Sequence, residues 1–204
     1  MVTPGKFIVF EGVDHCGKTT QIDLAEKWLK ARGHDVLRFR EPGGTDVGER
    51  IREVLLDKKL SIDPVSEMLL FMASRVQLLE QKILPALNSG HVVLLDRYWF
   101  STYAYQGFAG ELGTATVIDQ VTLLKLARPD LVVMLDGDPE RLASRHSGAS
   151  DRIEAKGLEY QRAVRIGYQI LISSMKDIFR AVDAEKSMED VHAAVVAELS
   201  KANF

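Results

Sequence analysis

The stretch Gly12-Val13-Asp14-His15-Cys16-Gly17-Lys18-Thr19 constrains this chain more than any other. It matches GxxxxGK[ST] and lies between an apolar run at 6–10 and a helical pattern that begins at Lys18. Glycines let the backbone curl so that successive N–H groups and a helix N-terminus face one anion. In that setting Lys18 reaches the outer phosphates of a nucleoside triphosphate, and the Thr19 hydroxyl is placed to ligate magnesium. His15 and Cys16 stand where small residues would be the easy choice, and Cys16 reads as a loop filler rather than a reactive thiol.

A strand, a phosphate loop and a helix in this order predict an open α/β sheet. Short apolar runs rich in β-branched residues at 36–39, 91–95 and 131–135 join 6–10 as candidate buried parallel strands, with a weaker fifth near 178–182. Helical patterns at 18–31, 47–56, 65–87, 116–127, 156–175 and 188–199 separate them. The order predicts a doubly wound, five-stranded parallel sheet with helices on both faces. With 204 residues and 46% hydrophobic content there is material for one full-sized core, expected to span 1–204 as a single domain. The SGAS stretch at 147–150 is a small-residue segment between helices, a candidate lid.

The net charge of -3, with both signs interspersed, offers no field for gripping a nucleic-acid backbone. One cysteine cannot form an internal disulfide, and the N-terminal stretch lacks the features of a signal peptide. No apolar run approaches the roughly 20 residues that span a bilayer. A soluble cytoplasmic protein without nucleic-acid or membrane partners is expected.

Three further stretches point to a second ligand. Arg40-Glu41-Pro42-Gly43-Gly44-Thr45 follows the second strand, where ligand loops of an open sheet gather. Asp96-Arg97-Tyr98 ends the third strand at the same edge, and Ser101, Tyr105 and Gln106 follow on a short helix. Phe71 and Arg75 lie one turn apart on one helix face. Arg40 and Arg97 supply an anion site, Phe71 an aromatic plate, and Arg75, Ser101 and Gln106 polar groups able to read a base edge. Singly, each has a plain structural reading: Phe71 as core, the arginines as ion pairs, the Asp-Arg pair as a cap. Their coincidence behind a phosphate loop favours a nucleotide acceptor. His34, His91 and His192 have no ligand-like spacing.

The stretches FEGVDHCGKTTQ, REPGGT, LLFMASRVQLLE, LLDRYWFSTYAYQG, RPDLVVMLD and DRIE, in this order, resemble the thymidylate kinase family. The resemblance implies a P-loop nucleoside monophosphate kinase-like fold. It also implies phosphorylation of dTMP to dTDP by ATP with Mg2+, and a lid at about 146–157. Carried onto matching positions, Gly12 to Thr20 would surround the ATP phosphates, with Val13, Gly17 and Thr20 in the loop and helix start, and Thr19 and Asp96 serving magnesium. Asp14 would meet the 3′-hydroxyl of the acceptor sugar, and Arg40 and Arg97 its phosphate. Pro42 and Gln106 would line the pocket, Phe71 would stack on thymine with Arg75 and Ser101 at its edge, and Tyr105 would close off the 2′ position. Arg145 would lie against adenine, and Arg152 would approach the phosphates from the lid.

Members of the family usually carry a catalytic arginine in the phosphate loop or several in the lid. Here position 15 is His, and after Arg145 the lid stretch holds only Arg152. Arg152 is the expected catalytic cation, and a protonated His15 is the alternative. Kinases of the same fold acting on another deoxynucleotide, or a regulatory module without catalysis, are the rival readings. The 65–87 helix is apolar around more of its circumference than one core face needs, which predicts a homodimer.

Overall fold

The computed structural model describes residues 5–145 and 151–202. Its elements follow in the order β1 (Lys6–Gly12), α1 (Lys18–Lys30), β2 (Val36–Arg40), α2 (Asp46–Leu56), α3 (Pro64–Leu78), α4 (Leu84–Asn88), β3 (Val92–Asp96), α5 (Trp99–Thr102), α6 (Thr114–Leu123), β4 (Leu131–Asp136), α7 (Pro139–Ala143), α8 (Leu158–Ser174), β5 (Phe179–Asp183) and α9 (Met188–Lys201). All five strands pair in parallel in the order β2-β3-β1-β4-β5, the doubly wound sheet expected from the sequence. The three central strands are buried on both faces: Ile8, Val9, Phe10, Val93, Leu94, Leu95 and Val132 to Leu135 have no exposed surface. That is why they read as continuous apolar runs instead of alternating ones.

Each strand runs one or two residues further at its C-terminal end than its apolar run. Those extra residues include Glu11, Gly12, Arg40, Asp96 and Asp136, polar or small groups that end a hydrophobic pattern while the backbone ladder continues. Register aligns them, with Asp96 opposite both Phe10 and Arg40. The chain leaves β1 toward β2 on one side, and later leaves β3 for β4 on the other side of β1. The loops after β1 and β3 therefore diverge and open a crevice at the polar edge, the place where doubly wound sheets bind ligands.

Local chemistry explains several helix starts. Asp63 and Asp138 each precede a proline, and their carboxylates accept from the backbone N–H groups of Val65 and Ser66, and of Glu140 and Arg141. The long helical pattern at 65–87 divides into α3, a π-helical stretch (Leu79–Ile83) and α4. Pro85 has no N–H to donate back into the preceding turn, and the wider turn lies just ahead of it.

The segment after β3 is more helical than the sequence suggested, since α5 continues as a π-helical stretch (Tyr103–Ala109). Its aromatic residues are modest helix formers, and tertiary packing against α8 holds it. At Gly167 of α8 an added Cβ would lie 3.0 Å from the Ala104 Cα, so the two backbones approach as closely as glycine allows. Phe100 anchors this segment to the sheet, edge-on to Phe179 at 4.9 Å and to Tyr98 at 6.1 Å, with no exposed surface. Phe100→Ala is expected to cost about 3–5 kcal/mol. Thermal unfolding should show a fall of roughly 10 °C in Tm.

Candidate active site

The phosphate loop has the backbone its glycines predict. Gly12 and Gly17 have φ of 151° and 87°, and a Cβ on Gly12 would meet the Leu135 carbonyl oxygen at 2.6 Å. His15 lies at φ 62°, a left-handed conformation that histidine tolerates better than bulky or β-branched residues. Lys18 Nζ donates to the carbonyl oxygens of Gly12 (3.1 Å) and Val13 (3.0 Å) and reaches Cys16 Sγ at 3.5 Å. Cys16 is a buried free thiol beneath the loop, consistent with a filler.

A cavity of about 450 Å³ opens beside the loop. Asp14, His15, Lys18 and Thr19 line one side, and Arg40, Glu41 and Pro42 follow from β2. Phe71 and Arg75 come from α3, and Asp96, Arg97, Ser101, Tyr105 and Gln106 from the segment after β3. The sequence motifs, distant along the chain, thus meet in one place. Gly12, Val13, Cys16, Gly17 and Thr20 form the loop and the start of α1 without lining this cavity.

Two named residues are not brought into it. Arg145 donates to the carbonyl oxygens of Ala184 (2.7 Å) and Glu185 (2.8 Å), after β5. Arg152 does not face the phosphate loop: its Nε donates to the Leu55 carbonyl at 2.8 Å, and its Nη2 lies 2.6 Å from Glu67 Oε2. The expected lid lies partly outside the described residues, at 146–150.

Arg97 is the junction of the site. It sits at φ 68°, pairs with Asp14, and donates to the Gly12 carbonyl oxygen (3.0 Å) and the Ser101 hydroxyl (3.2 Å). Burial would raise the Asp14 carboxyl, but the charges of Arg97 and Lys18 and the 2.6 Å donor Gln161 Nε2 outweigh it and hold its pKa below the usual value. Beneath them lies Glu11, fully buried, accepting from the Tyr98 N–H and from the hydroxyls of Ser101 and Tyr168, each at 2.7 Å. Burial still raises its pKa against these donors and the nearby Arg97 charge.

The residues expected at the base edge are held by buried partners. Arg75 is 1% exposed, and its Nε donates to Glu41 Oε2 at 2.6 Å. The hydroxyl it meets is that of Thr102 (3.1 Å), whereas the Ser101 hydroxyl is committed to Glu11 and Arg97. Gln106 Nε2 donates to Glu67 Oε1 at 2.8 Å. Arg52, from α2, also lines the cavity and donates to the Pro42 carbonyl at 2.9 Å. Glu11, Arg52, Glu67, Thr102 and Gln161 were missed because they act through partners far along the chain. Glu11 did leave a signal, a lone carboxylate at the end of an apolar strand.

The family model for thymidylate kinase matches residues 10–195. A thymidylate kinase of Caldanaerobacter subterraneus subsp. tengcongensis is 46% identical over 195 residues, covering 94% of this chain and 93% of that protein. One from Thermoanaerobacter sp. is 42% identical over 200 residues, covering 97% and 98%. One from Pelotomaculum thermopropionicum is 46% identical over 199 residues, covering 94% and 91%. The chain belongs to the thymidylate kinase family.

In this thymidylate kinase family member the Glu41–Arg75 pair lines the cavity, and its charge state bears on stability. Burial pushes the Glu41 carboxyl up to about 7, against the opposing charge of Arg75. The folded state therefore keeps a proton that the unfolded chain loses near 4.5. Between those values the unfolded state binds fewer protons, so this group's contribution to stability declines as pH rises. Urea unfolding of wild type and Glu41→Gln across that range should show the difference in their unfolding free energies falling by on the order of 2–4 kcal/mol, then levelling above pH 7.

Proposed function

We propose that the chain's thymidylate kinase reaction, ATP plus dTMP giving ADP plus dTDP, runs in the cavity between the phosphate loop and α3. The observation that carries this is the shared Gly12 carbonyl oxygen, which accepts from Lys18 and from Arg97. A donor-phosphate cation and an acceptor-phosphate cation thus meet at one atom. In the transfer, a dTMP phosphate oxygen forms a bond to the γ-phosphorus as the bond from that phosphorus to the β–γ bridging oxygen breaks, leaving ADP. The acceptor is already anionic, so no strong base is required; the difficulty is holding two polyanions in line. Lys18 would hold the ATP phosphates, and Arg40, Arg52 and Arg97 the dTMP phosphate.

Asp96 and Thr19 suit a magnesium ion. Asp96 Oδ1 is buried without a hydrogen-bond partner, and both residues line the same cavity. Among the described residues no cluster of three His, Cys, Asp or Glu side chains could hold a metal alone. The ion would therefore arrive with the nucleotide, held by one carboxylate, a hydroxyl and phosphates. Its chemistry would be to offset phosphate charge during transfer.

The acceptor's other end follows the same logic. Phe71 is half-buried at the cavity wall, placed to stack on thymine, with Arg75 held toward the base edge by Glu41 and Thr102. Asp14 would take the 3′-hydroxyl. Tyr105, its ring beneath the Arg97 guanidinium at 5.2 Å, would exclude a 2′-hydroxyl. Arg145, beside the loop after β5, would lie against adenine.

We assay this reading by dTDP formation from dTMP and ATP. Phe71→Ala is expected to weaken dTMP binding by on the order of 1 kcal/mol or more. ATP affinity should be unchanged in the variant, and unchanged selectivity for dTMP over dCMP would displace the acceptor site.

A homodimer on α3 is part of the proposal. Val65 and Leu69 are about half exposed on α3, and Val47 and Val54 are exposed on α2. α2 packs against α3, and a two-fold contact across this helix pair would cover these exposed apolar side chains. Sedimentation should show a dimer at micromolar concentration, and Leu69→Glu a monomer. No described helix is long and apolar enough to cross a membrane, and the cytoplasm is the proposed location.

A further inference from the structure

α3 carries Glu67, Phe71 and Arg75 at successive four-residue steps, so one helix face bears all three. Phe71 and Arg75 face the acceptor cavity, but Glu67 is 3% exposed and does not line it. Its carboxylate gathers groups from two other segments. Oε1 accepts from Gln106 Nε2 at 2.8 Å and lies 3.5 Å from Lys156 Nζ, while Oε2 lies 2.6 Å from Arg152 Nη2. The Arg152 Nε donates to the Leu55 carbonyl in the last turn of α2, where a cation is favoured, while its Nη2 meets Glu67 as an ion pair and has no hydrogen-bond partner. Between these anchors Ile153 is buried, and Asp151, Ile153 and Glu154 line the cavity. On the same side, Lys156 lies over the Tyr160 ring at 4.6 Å, and the Tyr160 hydroxyl donates to the Tyr105 carbonyl at 2.5 Å.

We propose that Glu67 is a positioning residue for dTMP. By binding Gln106 on one side and Arg152 with Lys156 on the other, it fixes the 151–156 wall of the acceptor pocket. Arg152 accordingly serves acceptor binding through Glu67, not the transferring phosphoryl. A carboxylate is required because Arg152 is largely buried and, among the described residues, Glu67 is the carboxylate that pairs with it. An amide at position 67 could still accept hydrogen bonds but would not neutralise it. The proposal rests on the acceptor-site assignment above.

Steady-state kinetics of Glu67→Gln, Arg152→Met and the double variant test it, with Phe71→Ala beside them. Losing one charge-assisted contact should raise the dTMP KM by roughly tenfold. The kcat and the ATP KM should stay within about threefold of wild type. Because both residues act through one contact, the double variant should resemble the worse single variant, and Arg152→Lys should recover part of the loss. A fall in kcat of a hundredfold or more in Arg152→Met, with dTMP KM unchanged and losses that multiply in the double variant, would overturn it and return Arg152 to the phosphoryl group. If Glu67→Gln does not fold, Arg152→Met and Arg152→Lys still decide the matter through the same split between KM and kcat. A raised dTMP KM in Phe71→Ala alone overturns the role of Glu67 only. No change in Phe71→Ala either removes the acceptor assignment itself.

Discussion

The carbonyl oxygen of Gly12 is the point on which this site depends. It ends β1, where only glycine fits against the neighbouring strand, and it accepts from Lys18 of the phosphate loop and from Arg97 at the end of β3. The parallel pairing of β1 with β3 sets the distance between those cations, because Phe10 is in register with Asp96 and the two loops leave from adjacent strand ends. Chemistry that requires two phosphates in line thus depends on a sheet register fixed by buried valines, leucines and phenylalanines. Positioning by rigid elements is more exact than positioning by loops, and here the strands do it.

Below that junction the site follows one pattern three times: a buried glutamate beside an arginine. Glu11 lies near Arg97 and binds it through Ser101, Glu41 binds Arg75, and Glu67 pairs with Arg152. Burying a carboxylate is costly unless it is paired and hydrogen-bonded, and each of these has several donors or a direct ion pair. What the cost secures is direction. A guanidinium with one edge tied to a carboxylate has the rest of its fork aimed, whereas a free arginine samples many rotamers. Glu41 retains one buried oxygen without a hydrogen-bond partner, consistent with burial prevailing in its pKa.

Legibility in the sequence followed the range of the interactions. Strands and most helices were readable because hydrophobic period and capping are local: the apolar runs marked β1 to β5, and Asp-Pro pairs mark the starts of α3 and α7. The phosphate loop was readable because its glycines and lysine act within eight residues. Partner choices were not readable. Nothing near Arg152 in sequence indicates that Glu67 and Leu55 hold it, nor does the order Ser101-Thr102 indicate which hydroxyl faces Arg75. Long-range pairing overrode the short-range reading in the same way at 103–109, where contact with α8 holds aromatic residues in a π-helical turn.

Arg152 is turned to Leu55 and Glu67, so among the described residues the Lys and Arg side chains that line the cavity are Lys18, Arg38, Arg40, Arg52, Arg75 and Arg97. Arg52 lies among these cations, and its pKa is lowered first by burial and then by the charge of Arg40, despite Glu49 and two aspartates acting the other way. Cations held together against their own repulsion form a site that an anion stabilises on arrival. Asp14 paired with Arg97 and Glu49 paired with Arg40 already offset part of that repulsion. His15, in a left-handed turn at the mouth of the loop and lining the same cavity, belongs to this field.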